Sequence, residues 1–255
     1  IGTLYRHSKQ PHLLIQSQTP DQHNNTSEAL LIADAKLATL YKVGQLIELT
    51  GTVRELQQMT ALTNISHSAV CAEQVSVRAT NLKLPVQQLS DWEALEGQYL
   101  KLPQTLVVND SYGLARYGEL LLADKRLFIG TELKQPGPAA AAFEQEQQLH
   151  QLVIDDDNPK QNVDPVRFPT GGLSANRTVR VGDQLQDVEG FLVHTKVGYR
   201  LVVSQQPTFI SANPRPAAPA VKPADQLRVA SFNVLNFFTG ADQQPQFPTR
   251  RGASN

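Results

Sequence analysis

Asn233 combines a residue type and a position that are well suited to chemistry. It directly follows residues 227–232 (LRVASF), whose β-branched and aromatic side chains predict a largely buried strand. A carboxamide held at the end of a strand can ligate a hard divalent cation through its oxygen, or donate to a phosphate through its nitrogen. The alternative is a core strand that simply runs into a polar turn.

Arg250 and Arg251 offer positive charge shortly after the Asn233 segment. Guanidinium groups pair with phosphate oxygens through two parallel hydrogen bonds, so this pair is a candidate for binding nucleic acid. An exposed basic turn is the alternative.

A second basic set lies further upstream, close to Tyr199, and consists of Arg177, Arg180, Lys196 and Arg200. If these four side chains line a groove along two neighbouring strands, aromatic stacking and phosphate pairing there would bind single-stranded nucleic acid. The alternative is that they form the solvated face of a barrel.

Three other features are expected to be structural. The acidic run 155–158 (DDDN) lacks the alternate spacing and closing glutamate of a calcium loop, so we expect a plain turn. The lone Cys71 lies in an apolar segment, which favours a buried thiol. His194 alternates with Val193 and Thr195 along a predicted strand, and its side chain is expected to face solvent.

The elements that would carry these residues are mostly short strands. Residues 1–80 contain closely spaced strand patterns, and in residues 44–56 Gly51 interrupts the alternation where a bulge or bend would fall. Residues 81–211 repeat the pattern on a larger scale, with a predicted helix at 138–149 (PAAAAFEQEQQL). The sequence therefore predicts a mainly β chain with two small barrels.

Residues 212–226 (ANPRPAAPAVKPADQ) change composition abruptly. Prolines at this density favour a polyproline II conformation and a semi-rigid spacer. We interpret the segment as a linker between domains, and the alternative is an ordered strap that lies across the barrel.

The length and composition are those of an ordinary globular chain: 255 residues, of which 40% are hydrophobic, with 23 basic and 24 acidic residues. A net charge of −1 argues against a protein that coats nucleic acid, because phosphate binding usually requires a basic excess, although local basic clusters can still serve. The apolar runs fall short of the roughly 18 residues that a membrane helix needs, so no membrane partner is expected.

The sequences VASFNVLNFF and FPTRRGASN near the end of the chain resemble the opening of the catalytic domain in the endonuclease/exonuclease/phosphatase superfamily. More narrowly, they are similar to the ExeM-like extracellular nucleases, which place OB-type barrels before the nuclease. The resemblance implies OB-like barrels at 1–80 and 81–211, a proline-rich linker at 212–226, and the start of an α/β four-layer nuclease domain at 227–255.

The same resemblance implies a secreted, extracellular enzyme that hydrolyses phosphodiester bonds, of DNA rather than RNA, with Asn233 as the catalytic and metal-site residue. The implied cofactor is Mg²⁺ or Mn²⁺, with Ca²⁺ as a further candidate, and a monomer is expected. The other superfamily active-site residues would lie beyond Asn255, so the chain alone is expected to be an inactive fragment. The alternative is a non-catalytic OB-type module that binds single-stranded nucleic acid or polysaccharide, and a third possibility is that the barrels only dock the nuclease.

Overall fold

The structure, a computed structural model, describes residues 4–5, 12–21, 23 and 25–232. Contacts between Cα atoms divide the chain into residues 1–214, called here the compact unit, and residues 215–255. The described part is mainly β, as the sequence predicts. Among the described residues, no helix has both the length and the apolar character needed to cross a membrane.

The first sheet of the compact unit consists of β1 (Leu4–Tyr5), β2 (His12–Gln16), β3 (Ala29–Ile32), β4 (Leu46–Leu56) and β5 (Met59–Ala72). Its strand order is β1-β2-β3-β5-β4, and β3 and β5 are the parallel pair. Helix α1 (Ala35–Leu40) lies between β3 and β4 in the chain and begins after Asp34, whose side chain accepts from two backbone N–H groups of the first turn.

The bend predicted at Gly51 is confirmed. The pairing of β4 with β5 shifts register between Thr50 and Thr52, which leaves Gly51 out of the ladder. A Cβ atom at this position would lie 2.8 Å from the carbonyl oxygen of Thr63, so the close approach of the two strands requires glycine.

The second sheet consists of β6 (Thr80–Asn81), β7 (Tyr99–Leu102), β8 (Leu106–Asp110), β9 (Leu120–Ala123), β10 (Gln151–Asp155), β11 (Gln184–Gln186), β12 (Val188–Thr195), β13 (Gly198–Val203) and β14 (Thr208–Ile210). Its order is β14-β11-β8-β9-β10-β13-β12-β7-β6, with β10 and β13 parallel. The consecutive strands β7 and β8 pair with β12 and β9 respectively, so the sheet curls back towards itself.

The helices of this region are the 3₁₀ helix Leu89–Leu95, α2 (Leu114–Tyr117), α3 (Gly130–Leu133) and α4 (Pro138–Gln148). The helix predicted at 138–149 is confirmed by α4, which lies between β9 and β10. Pro138 is its first residue, a position where the missing N–H group would have no helical partner in any case.

Apolar side chains of the two sheets meet in one cluster, here called the inter-sheet cluster: Leu14, Leu31, Met59 and Ala61 of the first sheet, and Phe191, Val193 and Val202 of the second. All of them are at most 4% exposed. Complete burial of a large apolar side chain stabilises the fold by about 1.5–3 kcal/mol. The sheets are therefore held together by a shared core, in addition to the separate cores that each one encloses.

Residues 215–232 contain no helix or strand. The prediction of a buried strand at 227–232 is wrong for this structure, because Leu227, Val229 and Phe232 are 88%, 83% and 80% exposed. A strand of this composition is buried only where neighbouring strands pair with its edges and side chains cover its faces. None of the described strands pairs with it.

Candidate functional site

Glu96 links the two sheets of the compact unit. It follows the 3₁₀ helix Leu89–Leu95, and its side chain is only 5% exposed. One carboxylate oxygen, Oε1, accepts a hydrogen bond from the backbone N–H of Thr60 on β5 at 2.7 Å. The carbonyl oxygen of Glu96 accepts from the hydroxyl of Ser27, just before β3, at 2.5 Å. Both contacts therefore connect the segment that precedes β7 with the first sheet.

The second carboxylate oxygen of Glu96, Oε2, is buried and has no hydrogen-bond partner among the described residues. It lies 4.0 Å from Nδ1 of His194 on β12. Burial is the main cause that raises the pKa of Glu96 to about 7, and the carboxylates of Glu93 and Glu55 add to it, against the opposing hydrogen bond from Thr60. This carboxyl group therefore titrates near neutral pH.

Tyr199 of β13 contacts both His194 and a second glutamate, Glu93. It lies opposite His194 in the sheet, and the two rings stack with centroids 4.0 Å apart and an angle of 14°. The hydroxyl of Tyr199 donates to Oε2 of Glu93 at 2.6 Å. Burial and the neighbouring Glu93 raise the pKa of Tyr199 well above its usual value, so the phenol stays neutral and remains a donor.

Glu93, Glu96 and His194, here called the Glu–Glu–His cluster, each offer one ligand atom, and these atoms lie within 4.8 Å of one another. Glu93 and Glu96 are one 3₁₀ turn apart in the chain and so share a face. Two carboxylates and an imidazole can bind a divalent cation, and a carboxyl group that titrates near pH 7 can also act as a general base.

A groove of about 610 Å³ lies beside β2 and the 3₁₀ helix. Its lining is mostly neutral and polar, with the charges of Glu28 and Asp91 against that of Arg78. A groove with this charge balance is a poor site for a phosphate backbone, which requires a basic excess.

A family model described as a domain of unknown function (DUF8508) matches residues 59–214. The chain belongs to the DUF8508 family. No curated protein and no solved structure is significantly similar to it. The DUF8508 match begins at the first residue of β5 and ends at the last residue of the compact unit, so it includes the whole Glu–Glu–His cluster.

Within the DUF8508 region, the four upstream basic residues do not lie on two neighbouring strands. Arg177 and Arg180 precede β11, whereas Lys196 occupies the turn between β12 and β13, and Arg200 lies on β13. Three strands, β8, β9 and β10, separate β11 from β13 in the sheet.

The contacts of these residues differ as well. Arg200 is only 13% exposed and forms ion pairs with Glu119 and with Asp155, the latter at 3.3 Å. Its charge is therefore compensated within the fold. Arg177 donates to the carbonyl oxygen of Gly171 at 2.7 Å, and Lys196 is exposed. Arg177 is exposed as well, whereas Arg180 is half-buried. Of the four, only Arg177 and Lys196 are exposed to a ligand.

The other predicted site residues, Asn233, Arg250 and Arg251, lie outside the described residues. The predicted strand at 227–232 that leads to Asn233 is not formed in the described part of the chain.

Two predictions about single residues are wrong. Cys71, the second-last residue of β5, is exposed, so the rest of the fold does not cover its thiol. His194 does not simply face solvent, since its ring stacks on Tyr199 and its side chain is 24% exposed. Nothing in the sequence pairs His194 with a glutamate almost a hundred residues earlier, because that contact depends on how β12 and the 3₁₀ helix pack.

The acidic run 155–158 behaves as the turn predicted from its sequence. The Asp155 side chain accepts from the backbone N–H of Asp157 at 2.7 Å, and the Asp156 side chain accepts from that of Asn158 at 2.9 Å. These carboxylates cap the backbone of their own turn.

Proposed function

We propose that the chain is the N-terminal part of a secreted, metal-dependent nuclease that hydrolyses phosphodiester bonds of extracellular DNA, with its barrels binding or orienting the nucleic acid. The observation that carries this proposal is the position of the VASFNVLNFF sequence. It follows the compact unit, which ends at Pro214, after a proline-rich segment without helix or strand. The same order of barrels, linker and first catalytic strand is implied by the resemblance to ExeM-like nucleases.

The exposure of Leu227, Val229 and Phe232 is compatible with this proposal, because large apolar side chains grouped in one short segment require a covering layer. In the proposed nuclease that layer is the remainder of the catalytic domain. Asn233 then offers a carboxamide oxygen, a hard ligand of the type that Mg²⁺, Mn²⁺ and Ca²⁺ accept, and Arg250 and Arg251 offer guanidinium groups to the phosphate. A bound Mg²⁺ or Mn²⁺ supplies Lewis-acid assistance to phosphodiester hydrolysis.

We also propose that both sheets are OB-type barrels, because they share one topology. In the first sheet the order is β1-β2-β3-β5-β4 with β3 and β5 parallel. In the second sheet, β7 and β8 can be taken together as one kinked first strand. The order is then β7/β8-β9-β10-β13-β12, and β10 and β13 are parallel. The kinked strand pairs with both β9 and β12, as closure of a small barrel requires.

This topology also favours one barrel for ligand binding. OB barrels bind oligonucleotides and oligosaccharides across their second and third strands and the adjoining loops. In the first barrel these strands are β2 and β3, whose Leu14 and Leu31 are buried in the inter-sheet cluster. In the second they are β9 and β10, whose Leu121 and Val153 remain partly exposed. The second barrel is therefore the candidate binding module.

The loop that leads into β9 strengthens this candidate. Tyr112 is 90% exposed, and the guanidinium carbon of Arg116 lies 5.0 Å from the ring centroid of Tyr117. Exposed aromatic rings next to cations are the groups on which the bases of single strands stack. The same groups favour the second candidate function, a non-catalytic module that binds single-stranded nucleic acid or polysaccharide.

We expect the 255-residue chain to bind a single-stranded DNA oligonucleotide weakly at low salt and to lose affinity as salt rises. The Arg116→Ala/Lys196→Ala double variant should weaken binding by about tenfold, because it removes cations from loops at both ends of the β9–β10 face. Fluorescence anisotropy with a labelled oligonucleotide measures both effects.

The matched control is Lys36→Ala/Lys42→Ala, which removes the same charge from exposed positions of the first barrel in and next to α1. Equal losses in the two double variants would contradict a binding face on the second barrel. Absence of binding at low salt would favour the docking role, and binding of a polysaccharide in place of DNA would favour the non-catalytic module.

The nuclease proposal itself is tested by plasmid digestion with the full-length protein and added Mg²⁺ or Mn²⁺. We expect nicked and linear products that disappear when a chelator is added, because the chemistry depends on the metal. Cleavage that a chelator does not affect would contradict the proposal.

A further inference from the structure

Glu96 has one carboxylate oxygen, Oε2, whose hydrogen-bonding capacity is unused in the described structure. Oε2 is buried in a side chain that is only 5% exposed, and it has no hydrogen-bond partner among the described residues. Leaving a buried carboxylate oxygen unpaired costs free energy, which a ligand at that position would recover. The atom lies next to the imidazole of His194 and the carboxylate of Glu93, so any such ligand would be a group that two carboxylates and an imidazole attract.

We propose that the Glu–Glu–His cluster binds a divalent first-row transition-metal cation of the Zn²⁺ type. Its ligand set is one imidazole nitrogen and two carboxylate oxygens, with a fourth position open to water. The imidazole selects this class against Mg²⁺ and Ca²⁺, which take oxygen ligands. The proposal does not rest on nuclease activity, since all three residues lie in the compact unit.

The distances fit an ion after small movements of the side chains. The ligand atoms lie within 4.8 Å of one another, and Oε2 of Glu96 is 4.0 Å from Nδ1 of His194. Bonds of about 2.0–2.2 Å from Zn²⁺ to nitrogen and oxygen would bring the ligand atoms to about 3.4 Å from one another. Glu93 is exposed, so a small movement of its side chain would close this gap.

Neighbouring groups already orient the ligands. The N–H of Thr60 holds one oxygen of Glu96 and leaves the other directed towards His194. Stacking on Tyr199 fixes the ring of His194, and the hydroxyl of Tyr199 donates to Glu93. Such outer groups keep metal ligands in place and raise affinity.

An ion at this position would strengthen the junction between the sheets. Glu96 is bonded to β5 of the first sheet, whereas His194 belongs to β12 of the second. A cation that binds the folded chain and not the unfolded chain stabilises the fold by mass action. We therefore expect Zn²⁺ to raise the melting temperature of the compact unit as well as to bind.

The test uses the 255-residue chain after removal of metals with a chelator and desalting. Isothermal titration with Zn²⁺ should show one site per chain, and the melting temperature should rise with Zn²⁺ but not with Mg²⁺ or Ca²⁺. His194→Gln and Glu93→Gln should each weaken Zn²⁺ binding by about tenfold or more, with circular dichroism checking that both variants are folded. Glu93→Gln is the safer of the two for folding, since Glu93 is exposed.

Two controls remove similar groups elsewhere. His67→Gln changes an exposed histidine of β5, and Glu146→Gln changes the carboxylate beside His150, whose ring nitrogens already have partners. Both controls should bind Zn²⁺ as the wild type does. Absence of Zn²⁺ binding by the wild type would overturn the proposal, and so would a folded His194→Gln or Glu93→Gln variant with unchanged affinity.

Discussion

Replacement of Asn233 by alanine in the full-length protein is expected to lower metal-dependent DNA cleavage by about a hundredfold or more. In the proposed nuclease this carboxamide ends a central strand and helps to position the metal and the scissile phosphate, so its loss removes a preorganised group at little cost to the fold. The melting temperature should therefore hardly change. Initial rates of plasmid and single-strand digestion at matched concentrations measure the effect.

Asn236→Ala is the matched control, because it removes the same carboxamide three residues further along the same segment. We expect a much smaller loss of rate from this change. Full activity of Asn233→Ala would remove Asn233 from the active site, and equal losses in both variants would mean that the segment acts through its fold.

Replacement of Glu96 by glutamine is expected to change how stability depends on pH. The folded pKa of Glu96 is raised from 4.5 to about 7, so the folded state binds this proton more tightly than the unfolded state does. Its contribution to stability is complete below pH 4.5 and is lost as the pH rises to about 7. The loss amounts to at most about 3 kcal/mol of the free energy of unfolding.

Glutamine stays neutral across this range and can still accept from the N–H of Thr60, so Glu96→Gln should be more stable than the wild type at pH 8 and similar to it at pH 4.5. Urea unfolding at several pH values, with a chelator present, measures the difference. Glu48→Gln, at an exposed position of β4, serves as the control and should follow the wild-type curve. Parallel curves for Glu96→Gln and the wild type would show that the Glu96 carboxyl group titrates alike in the folded and unfolded chains.

Local patterns predicted much of the fold correctly. The alternation broken at Gly51 and the run of helix formers from Pro138 depend on neighbouring residues alone, and both features are present. Burial was harder to predict, because it depends on which other layer covers a strand. The errors at Cys71 and at residues 227–232 both have this origin.

The candidate site could not be predicted from the sequence for a related reason. It combines Glu93 from the 3₁₀ helix, Glu96 directly after that helix, His194 from β12 and the N–H of Thr60 from β5. These segments meet only through strand pairing and packing between the sheets, which leave no local pattern. The charge of Arg200 likewise indicated a free cation, whereas the pairing of β13 with β10 brings it to Asp155.

In the proposed nuclease, phosphodiester hydrolysis belongs to the domain that begins near Leu227, and the barrels bind or orient the substrate. Digestion of plasmid DNA by the full-length protein and by the 255-residue chain, each with Mg²⁺ or Mn²⁺ and with or without a chelator, tests this claim most directly. We expect chelator-sensitive cleavage by the full-length protein and none by the chain. Chelator-sensitive cleavage by the chain, or none by the full-length protein, would contradict the claim.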